Sequence, residues 1–175
     1  MNYKMKLFKF IFVLFCLTIN AQKVQTFRFI VANKENFDTY SGFYPGKPFE
    51  FTYSRVYDDK NNFREIGLFD GNKNGTLFKI KNKKWYIKNG NIWKIFYSPG
   101  KKINPNVKIA GKYYTLKIID YQVLNGTICT VYNVITKKRM DGGKIEYWFN
   151  PQYGIVQIKT DNITLVREDF KTPNG

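Results

Sequence analysis

The chain contains no histidine, so paired carboxylates are the acid–base chemistry that remains to be considered. Two Asp or Glu residues that face each other across a cleft can hydrolyse a glycosidic bond. The candidates are Glu50, Glu65, Asp120 and Glu146. Their spacing does not predict that any two of them meet, and acidic side chains that point outward from strands are mostly solvated. We therefore predict a non-catalytic protein with no catalytic residues and no cofactor.

Metal and thiol chemistry is also disfavoured by composition. Without histidine there are no imidazole metal ligands and none of the common catalytic triads. Of the two cysteines, Cys16 lies in a predicted leader, so the mature chain retains only Cys129. One cysteine forms neither a thiolate zinc cage nor an intrachain disulfide. Because Cys129 lies in an apolar, strand-like run, we predict an inert core thiol and no metal site.

A lysine-rich stretch is the second feature that could carry chemistry. Residues 71–119 contain twelve lysines and no Asp or Glu. In residues 76–97 the lysines alternate with apolar side chains, and successive side chains of a strand point to opposite faces. The expected lysine face carries Lys79, Lys81, Lys84, Tyr86, Lys88, Lys94 and Phe96. The expected core face carries Phe78, Ile80, Trp85, Ile87, Trp93 and Ile95. The lysine face is either an ordinary solvated surface or a binding surface.

The turn at residues 89–91 determines which side chains share these faces. A three-residue loop would place Ile87 opposite Trp93 and Trp85 opposite Ile95. A two-residue turn at Asn89 and Gly90 would mix the faces. Because a slip of one residue exchanges the two faces, we expect the three-residue loop.

The net charge of the chain favours anionic partners. It is +16 in total and +13 without residues 1–21. Lysines outnumber arginines by 24 to 5, whereas phosphate and nucleic-acid sites favour the planar arginine fork. Nucleic acid is therefore disfavoured. If the lysine face binds a partner, we expect an anionic glycan or membrane surface of the cell envelope.

The first 21 residues have the features of a cleaved secretory signal peptide. Lys4, Lys6 and Lys9 precede an apolar run at residues 10–19, and Ala21 provides a small residue at the cleavage site. The run is shorter than the roughly 20 residues that span a bilayer. We expect export to the periplasm or beyond in a Gram-negative-type envelope, and a mature chain that does not span the membrane.

Residues 22–175 are predicted to form a single all-β domain. Alternating segments are separated by turn residues, and no segment has a helical stripe. We expect a single antiparallel meander of about ten or eleven strands, folded as a curved half-barrel or a small barrel or sandwich. A phase change at Ile118 and Ile119 predicts a β-bulge, Asn125 and Gly126 predict a hairpin turn, and residues 98–111 are expected to be a loop.

Two segments suggest where an apolar ligand could bind. Residues 33–48 form an aromatic-rich loop that could cover the sheet or line the mouth of a pocket, with Phe43 and Tyr44 at its centre. In residues 147–156 the spacing Trp-x-x-Pro-x-x-Gly resembles the hairpin of periplasmic lipoprotein-carrier half-barrels and related envelope proteins of unknown function. That resemblance implies a concave apolar face that holds acyl chains, with Trp148 and Tyr153 on the carrier hairpin. We therefore expect a lipid-like or other apolar ligand on a curved aromatic-rich face.

Overall fold

The computed structural model describes residues 22–32, 50–69, 74–109, 111–135, 144–161 and 163–170. The predicted leader, and the loop with Phe43 and Tyr44, lie outside the described residues. Twelve strands and one short 3₁₀ turn make up the described secondary structure. The strands are β1 (Lys23–Val31), β2 (Glu50–Tyr57), β3 (Asn62–Ile66), β4 (Thr76–Lys81), β5 (Lys84–Asn89), β6 (Ile92–Tyr97), β7 (Asn106–Ile109), β8 (Lys112–Leu124), β9 (Thr127–Ile135), β10 (Ile145–Asn150), β11 (Gly154–Thr160) and β12 (Thr164–Arg167). The 3₁₀ turn Glu168–Phe170 follows β12.

All twelve strands belong to one antiparallel sheet, in the order β6-β5-β4-β3-β2-β1-β12-β11-β10-β9-β8-β7. The first and last strands pair in the middle of this order, and the two edges, β6 and β7, are consecutive in the chain. The sheet curls into a nearly closed barrel. The predicted all-β meander is therefore confirmed. The strand that was missed is β7, a four-residue edge strand directly after Pro105, in a segment expected to be a loop.

The interior of the barrel is filled by the protein's own aromatic rings. Trp85 on β5 meets Phe149 on β10 edge-to-face, with ring centroids 5.0 Å apart. Phe96 on β6 lies 5.8 Å from Tyr132 on β9. These strands are far apart in the sheet order, so the contacts cross the barrel and show that opposite walls pack together. The aromatic residues that suggested an open concave face are largely core residues.

The expected register of the β5–β6 hairpin is wrong. Asn89 pairs with Ile92, which leaves a two-residue loop of Gly90 and Asn91, and Gly90 has a φ of +60°. A left-handed glycine suits a tight hairpin turn. The pairing shifts again between Tyr86 and Trp85, so that Phe96 is the additional residue on β6 and Trp85 lies opposite Tyr97. Trp85 is buried on the same face of β5 as Ile87.

This register changes the membership of both faces. Phe96 is buried in the core with 1 % exposure, whereas Ile95 is 38 % exposed. Lys88 lies opposite Trp93, which places Trp93 among the lysines. Lys94 lies opposite the buried Ile87, on the face of the sheet that carries the core. The lysine face therefore gains Trp93 and Ile95, which had been expected in the core, and loses Lys94 and Phe96.

The predicted bulge and turn of the β8–β9 hairpin are both confirmed. Ile118 pairs with Tyr132 and Asp120 with Val131, so Ile119 is the additional residue. Asn125 and Gly126 have φ values of +47° and +70°, as a tight hairpin turn requires. After the bulge the cross-strand pairs shift by one residue, and this brings a different set of β8 side chains onto the inner face.

Candidate functional site

An open groove of about 720 Å³ lies between the segment that follows β6 and the β8–β9 hairpin. The residues that line it are Tyr97, Ser98, Gly100, Lys101, Lys102, Ile118, Tyr121, Gly126, Ile128, Thr130, Asn150 and Pro151. None of these residues is acidic. Lys101 and Lys102 are exposed and mark the open side of the groove.

The β8–β9 hairpin presents apolar side chains toward this groove. Tyr121 pairs with Thr130 and Val123 with Ile128, so all four share the face that carries Tyr132 farther along β9. Tyr121, Val123 and Ile128 are 58, 64 and 66 % exposed. Without the bulge at Ile119, Tyr121 and Val123 would point to the opposite side. The bulge therefore creates an exposed apolar wall on the inner side of the hairpin.

Three tyrosines, Tyr97, Tyr121 and Tyr132, lie near enough to one another beside the groove to interact electrostatically. Tyr97 and Tyr121 line it, and Tyr132 lies beneath, opposite Ile118. Tyr132 is fully buried, and its hydroxyl has no hydrogen-bond partner among the described residues. Burial raises the pKa of Tyr132 above its ordinary value, and the neighbouring Tyr121 and Tyr97 raise it further. Burial, followed by Tyr121, also raises the pKa of Tyr97. At neutral pH the hydroxyls of Tyr97 and Tyr132 are therefore protonated.

The β10–β11 turn forms another wall and is firmly held. The Asn150 side chain accepts a hydrogen bond from the Gln152 amide at 2.8 Å and donates one to the Ile128 carbonyl at 2.9 Å. Trp85 Nε1 donates to the Pro151 carbonyl at 3.0 Å. Arg167 Nη1 donates to the Tyr153 carbonyl at 2.7 Å. Because its contacts come from β5, β9 and β12, this wall is preorganised.

Trp148 and Tyr153, the predicted ligand-binding residues on this hairpin, do not line the groove. They pack with a second apolar cluster on the other face of the sheet. The buried members of that cluster are Cys129, Val156, Val166 and Phe170. Tyr153 meets Phe170 of the 3₁₀ turn edge-to-face at 4.9 Å. Burial raises the pKa of Cys129 to about 11, which keeps this thiol protonated at neutral pH.

The lysine face gathers most of the side chains predicted for it. Lys79, Lys81, Lys84, Tyr86 and Lys88 share one side of β4 and β5, as the pairing of Lys79 with Tyr86 and of Lys81 with Lys84 requires. Lys79 Nζ lies 4.4 Å from the ring centroid of Trp93 and 5.4 Å from that of Tyr86. Lys94 is not part of this group. Trp93 was not predicted on the lysine face, because its face depends on the register of the β5–β6 hairpin. The residue that indicates the tight turn of that hairpin is Gly90.

Glu65, one of the four candidate carboxylates, is buried in an ion pair with Arg55. Arg55 Nη2 lies 2.6 Å from Glu65 Oε1, and the two side chains are 6 and 2 % exposed. The guanidinium also lies 4.6 Å from the ring centroid of Phe63. The pKa of Glu65 is raised, because burial disfavours the carboxylate more than Arg55 favours it. The arrangement is structural, with the carboxylate enclosed rather than open to a substrate.

The other described carboxylates have separate partners. The side chain of Asp120 is exposed and accepts hydrogen bonds from the Gln122 side chain and the Tyr121 amide; these two bonds, in that order, lower its pKa. Glu146 pairs with Lys144 at 2.5 Å. The side chain of Glu50 lies outside the described part. Glu65, Asp120 and Glu146 therefore have different neighbours on three different strands.

Among the described residues no group of three or more His, Cys, Asp or Glu could hold a metal ion. Within the same ranges, no helix has the length and apolar character to cross a membrane. Comparison with protein-family models, curated proteins and solved structures found no match to this chain.

Proposed function

We propose that this chain is an exported, non-catalytic protein that binds a lipid-like or other apolar small molecule in the groove beside the β8–β9 hairpin. The observation that carries the proposal is the exposed apolar wall of Tyr121 and Ile128 along a groove of about 720 Å³, with Val123 exposed beside them on the same face. Small-molecule sites are concave, mostly apolar and about 300–1,000 Å³ in volume. A ligand in the groove would bury a wall that is otherwise in contact with water.

The packed interior favours the groove over the concave face as the proposed site. An acyl chain on that face would have to displace rings such as Phe96, Phe149 and Tyr132, which pack against one another. The groove, in contrast, is open without any displacement of core rings, and the β10–β11 turn that forms one of its walls is held by hydrogen bonds. The likeness of residues 147–156 to the carrier hairpin supports the same class of ligand, and the predicted leader supports export.

The direct test is native mass spectrometry of protein purified from its own envelope, with organic extraction of whatever is bound. We expect a co-purifying apolar molecule, and a mature chain whose mass corresponds to a start at Gln22. A mass without ligand, together with no thermal shift on addition of the uncharged apolar probe N-phenylnaphthylamine, would refute the proposal.

Replacing Ile128 with glutamate is expected to weaken binding of N-phenylnaphthylamine roughly tenfold or more, because the ligand would have to desolvate a carboxylate. Ile128 is 66 % exposed, so the fold should tolerate the change. The matched control is Ile135→Glu, since Ile135 is an exposed isoleucine on the opposite face of the same strand. Fluorescence titration measures both. Equal affinities for the two variants would exclude the groove as the binding site.

A second candidate function is docking of an anionic envelope polymer on the lysine face. The observation that favours it is Lys79 beside Trp93 and Tyr86, since aromatic rings next to cations can stack on sugars while the cations pair with acidic groups. Changing Lys79, Lys81, Lys84 and Lys88 to glutamine is expected to abolish salt-sensitive binding to an acidic polysaccharide such as polygalacturonate.

The control changes the net charge equally at exposed lysines elsewhere, namely Lys60, Lys112, Lys117 and Lys159. Affinity chromatography over a salt gradient compares the two quadruple variants. If both elute at the same salt concentration, total charge rather than this face is responsible.

A further inference from the structure

We propose that the ligand of the groove is an amphiphile with an anionic head group, such as a fatty acid or an alkyl phosphate. Its apolar chain lies along Tyr121 and Ile128, and its head group pairs with Lys101 and Lys102. This inference rests on the proposed function and specifies the charge at the polar end of the ligand.

Two lysines supply the charge of the groove. Lys101 and Lys102 are the charged residues of its described lining, which contains no Asp or Glu. Within the described part of the chain, neither lysine is in an ion pair with a carboxylate. Asp120 is adjacent to Tyr121, but it pairs with Val131 and therefore points to the opposite face of the sheet. The described lining is consequently positive, so it attracts an anion and repels a cation.

The backbone that carries these lysines is held at both ends. The Lys101 amide donates to the Ser98 carbonyl at 3.2 Å, and Gly100 between them has a φ of +67°, as in a tight turn. Farther along, the Asn104 side chain accepts a hydrogen bond from the Ile118 amide at 3.1 Å. Because Ile118 also lines the groove, this bond fixes the segment to the wall. The backbone positions of the two lysines are therefore defined before a ligand binds, which reduces the cost of ordering them.

The apolar wall of the β8–β9 hairpin supplies the other half of the recognition. Tyr121 and Ile128 line the groove and are largely exposed, so an apolar chain laid on them removes their surface from water. Lys101 and Lys102 are exposed on the open side, where a head group keeps part of its hydration. An amphiphile therefore satisfies both parts of the groove. A wholly apolar molecule would leave the lysines unpaired, and an acidic polymer would leave the apolar wall in water.

Three probes with the same linear chain test the charge of the head group: decanoate, decan-1-ol and decylamine. Each is titrated at low ionic strength against the complex with N-phenylnaphthylamine, and displacement is followed by fluorescence. We expect decanoate to bind roughly tenfold more tightly than decan-1-ol, as pairing with two exposed cations allows, and decylamine to bind most weakly. Added salt should reduce the preference for decanoate.

Variants at the two lysines separate pairing in the groove from attraction by the net charge. Replacing Lys101 and Lys102 with glutamine should remove the preference for decanoate over decan-1-ol, and replacing both with glutamate should reverse it in favour of decylamine. The fold should tolerate these changes, because both side chains are exposed. The matched control replaces Lys60 and Lys112 with glutamine, since these lysines are also exposed and neither lines the groove. It has the same net charge as the first glutamine variant and should retain the full preference.

Failure of the proposed function and failure of this inference give different results. If N-phenylnaphthylamine does not bind and no probe shifts the melting temperature, the groove is not a ligand site and the proposed function fails. If the dye binds but decanoate has no advantage over decan-1-ol, the groove takes apolar ligands and the anionic inference is wrong. An equal loss of preference in the control variant would also overturn it, in favour of attraction by the total charge. Sedimentation with phosphatidylglycerol vesicles that requires the two lysines, without displacement of the dye by decanoate, would overturn it in favour of docking on a membrane.

Discussion

Replacing Glu65 with glutamine is expected to lower the free energy of unfolding by ~3–5 kcal/mol, because it leaves the Arg55 guanidinium charged and buried without its counter-ion. The two side chains are almost fully enclosed and 2.6 Å apart. Arginine remains charged in proteins, so the variant has no protonation change that could relieve the site. Chemical denaturation followed by tryptophan fluorescence measures the loss.

The control is Glu168→Gln, which affects the exposed pair between Arg28 Nη1 and Glu168 Oε1 at 3.4 Å. Exposed pairs contribute only about 0–1 kcal/mol, so this variant should unfold almost as the wild type does. Replacing both Arg55 and Glu65 with leucine should restore much of the stability, since no uncompensated charge remains. Equal losses for Glu65→Gln and Glu168→Gln would show that the buried pair has no special role.

Replacing Gly154 with alanine should destabilise the fold by about 3 kcal/mol or more, from left-handed strain and displacement of a paired buried charge. Gly154 has a φ of +84°, and a Cβ atom there would lie 2.5 Å from Arg55 Nη2. Arg55 cannot simply move aside, because Glu65 holds the same nitrogen. The same denaturation experiment measures the effect.

Gly90→Ala isolates the backbone contribution. Gly90 has a φ of +60°, and a Cβ atom there would meet nothing within 4 Å, so only about 1–2 kcal/mol of left-handed strain is expected. In the background with leucine at positions 55 and 65, the penalty of Gly154→Ala should fall toward that of Gly90→Ala. An unchanged penalty in that background would mean that the contact with Arg55 is not the cause.

The buried pair of Arg55 and Glu65 shows how much the alternation of side chains along a strand can predict. Arg55 is two residues from Tyr53, and Glu65 is two residues from Phe63, so the period of two already places each on a core face. Their hairpin pairs them directly. Alternation alone does not predict that they are buried, because charged side chains are rarely buried. Only the opposition of the two charges across the hairpin makes their burial tolerable.

The register of β5 and β6 shows a different limit. Local alternation predicted both strands, but the faces depend on a turn and a bulge that shift the pairing by one residue each. Alternation within one strand contains no information about such shifts. Gly90, with a φ of +60°, is the residue that permits the tight loop.

The groove could not have been predicted from any one segment. Its walls come from the end of β6, the β8–β9 hairpin and the β10–β11 turn, which meet only because the barrel closes. The bulge at Ile119 was predicted, as were the turn at Asn125 and Gly126 and the hairpin at residues 147–156, and each contributes to the walls of the groove. The bulge redirects Tyr121 and Val123, but predicting that they then lie beside a groove would have required knowing how the sheet curves.

The pairing of β1 with β12 has a consequence for how quickly the barrel folds. Strands β1 to β6 and strands β7 to β12 form two runs in which each strand pairs with the next one along the chain. Phe29 and Arg167, by contrast, come from opposite ends of the chain. Contacts of that separation require closure of a long loop and slow the folding of β proteins. Each half can therefore assemble early, and docking of the two halves along β1 and β12 becomes the slow step.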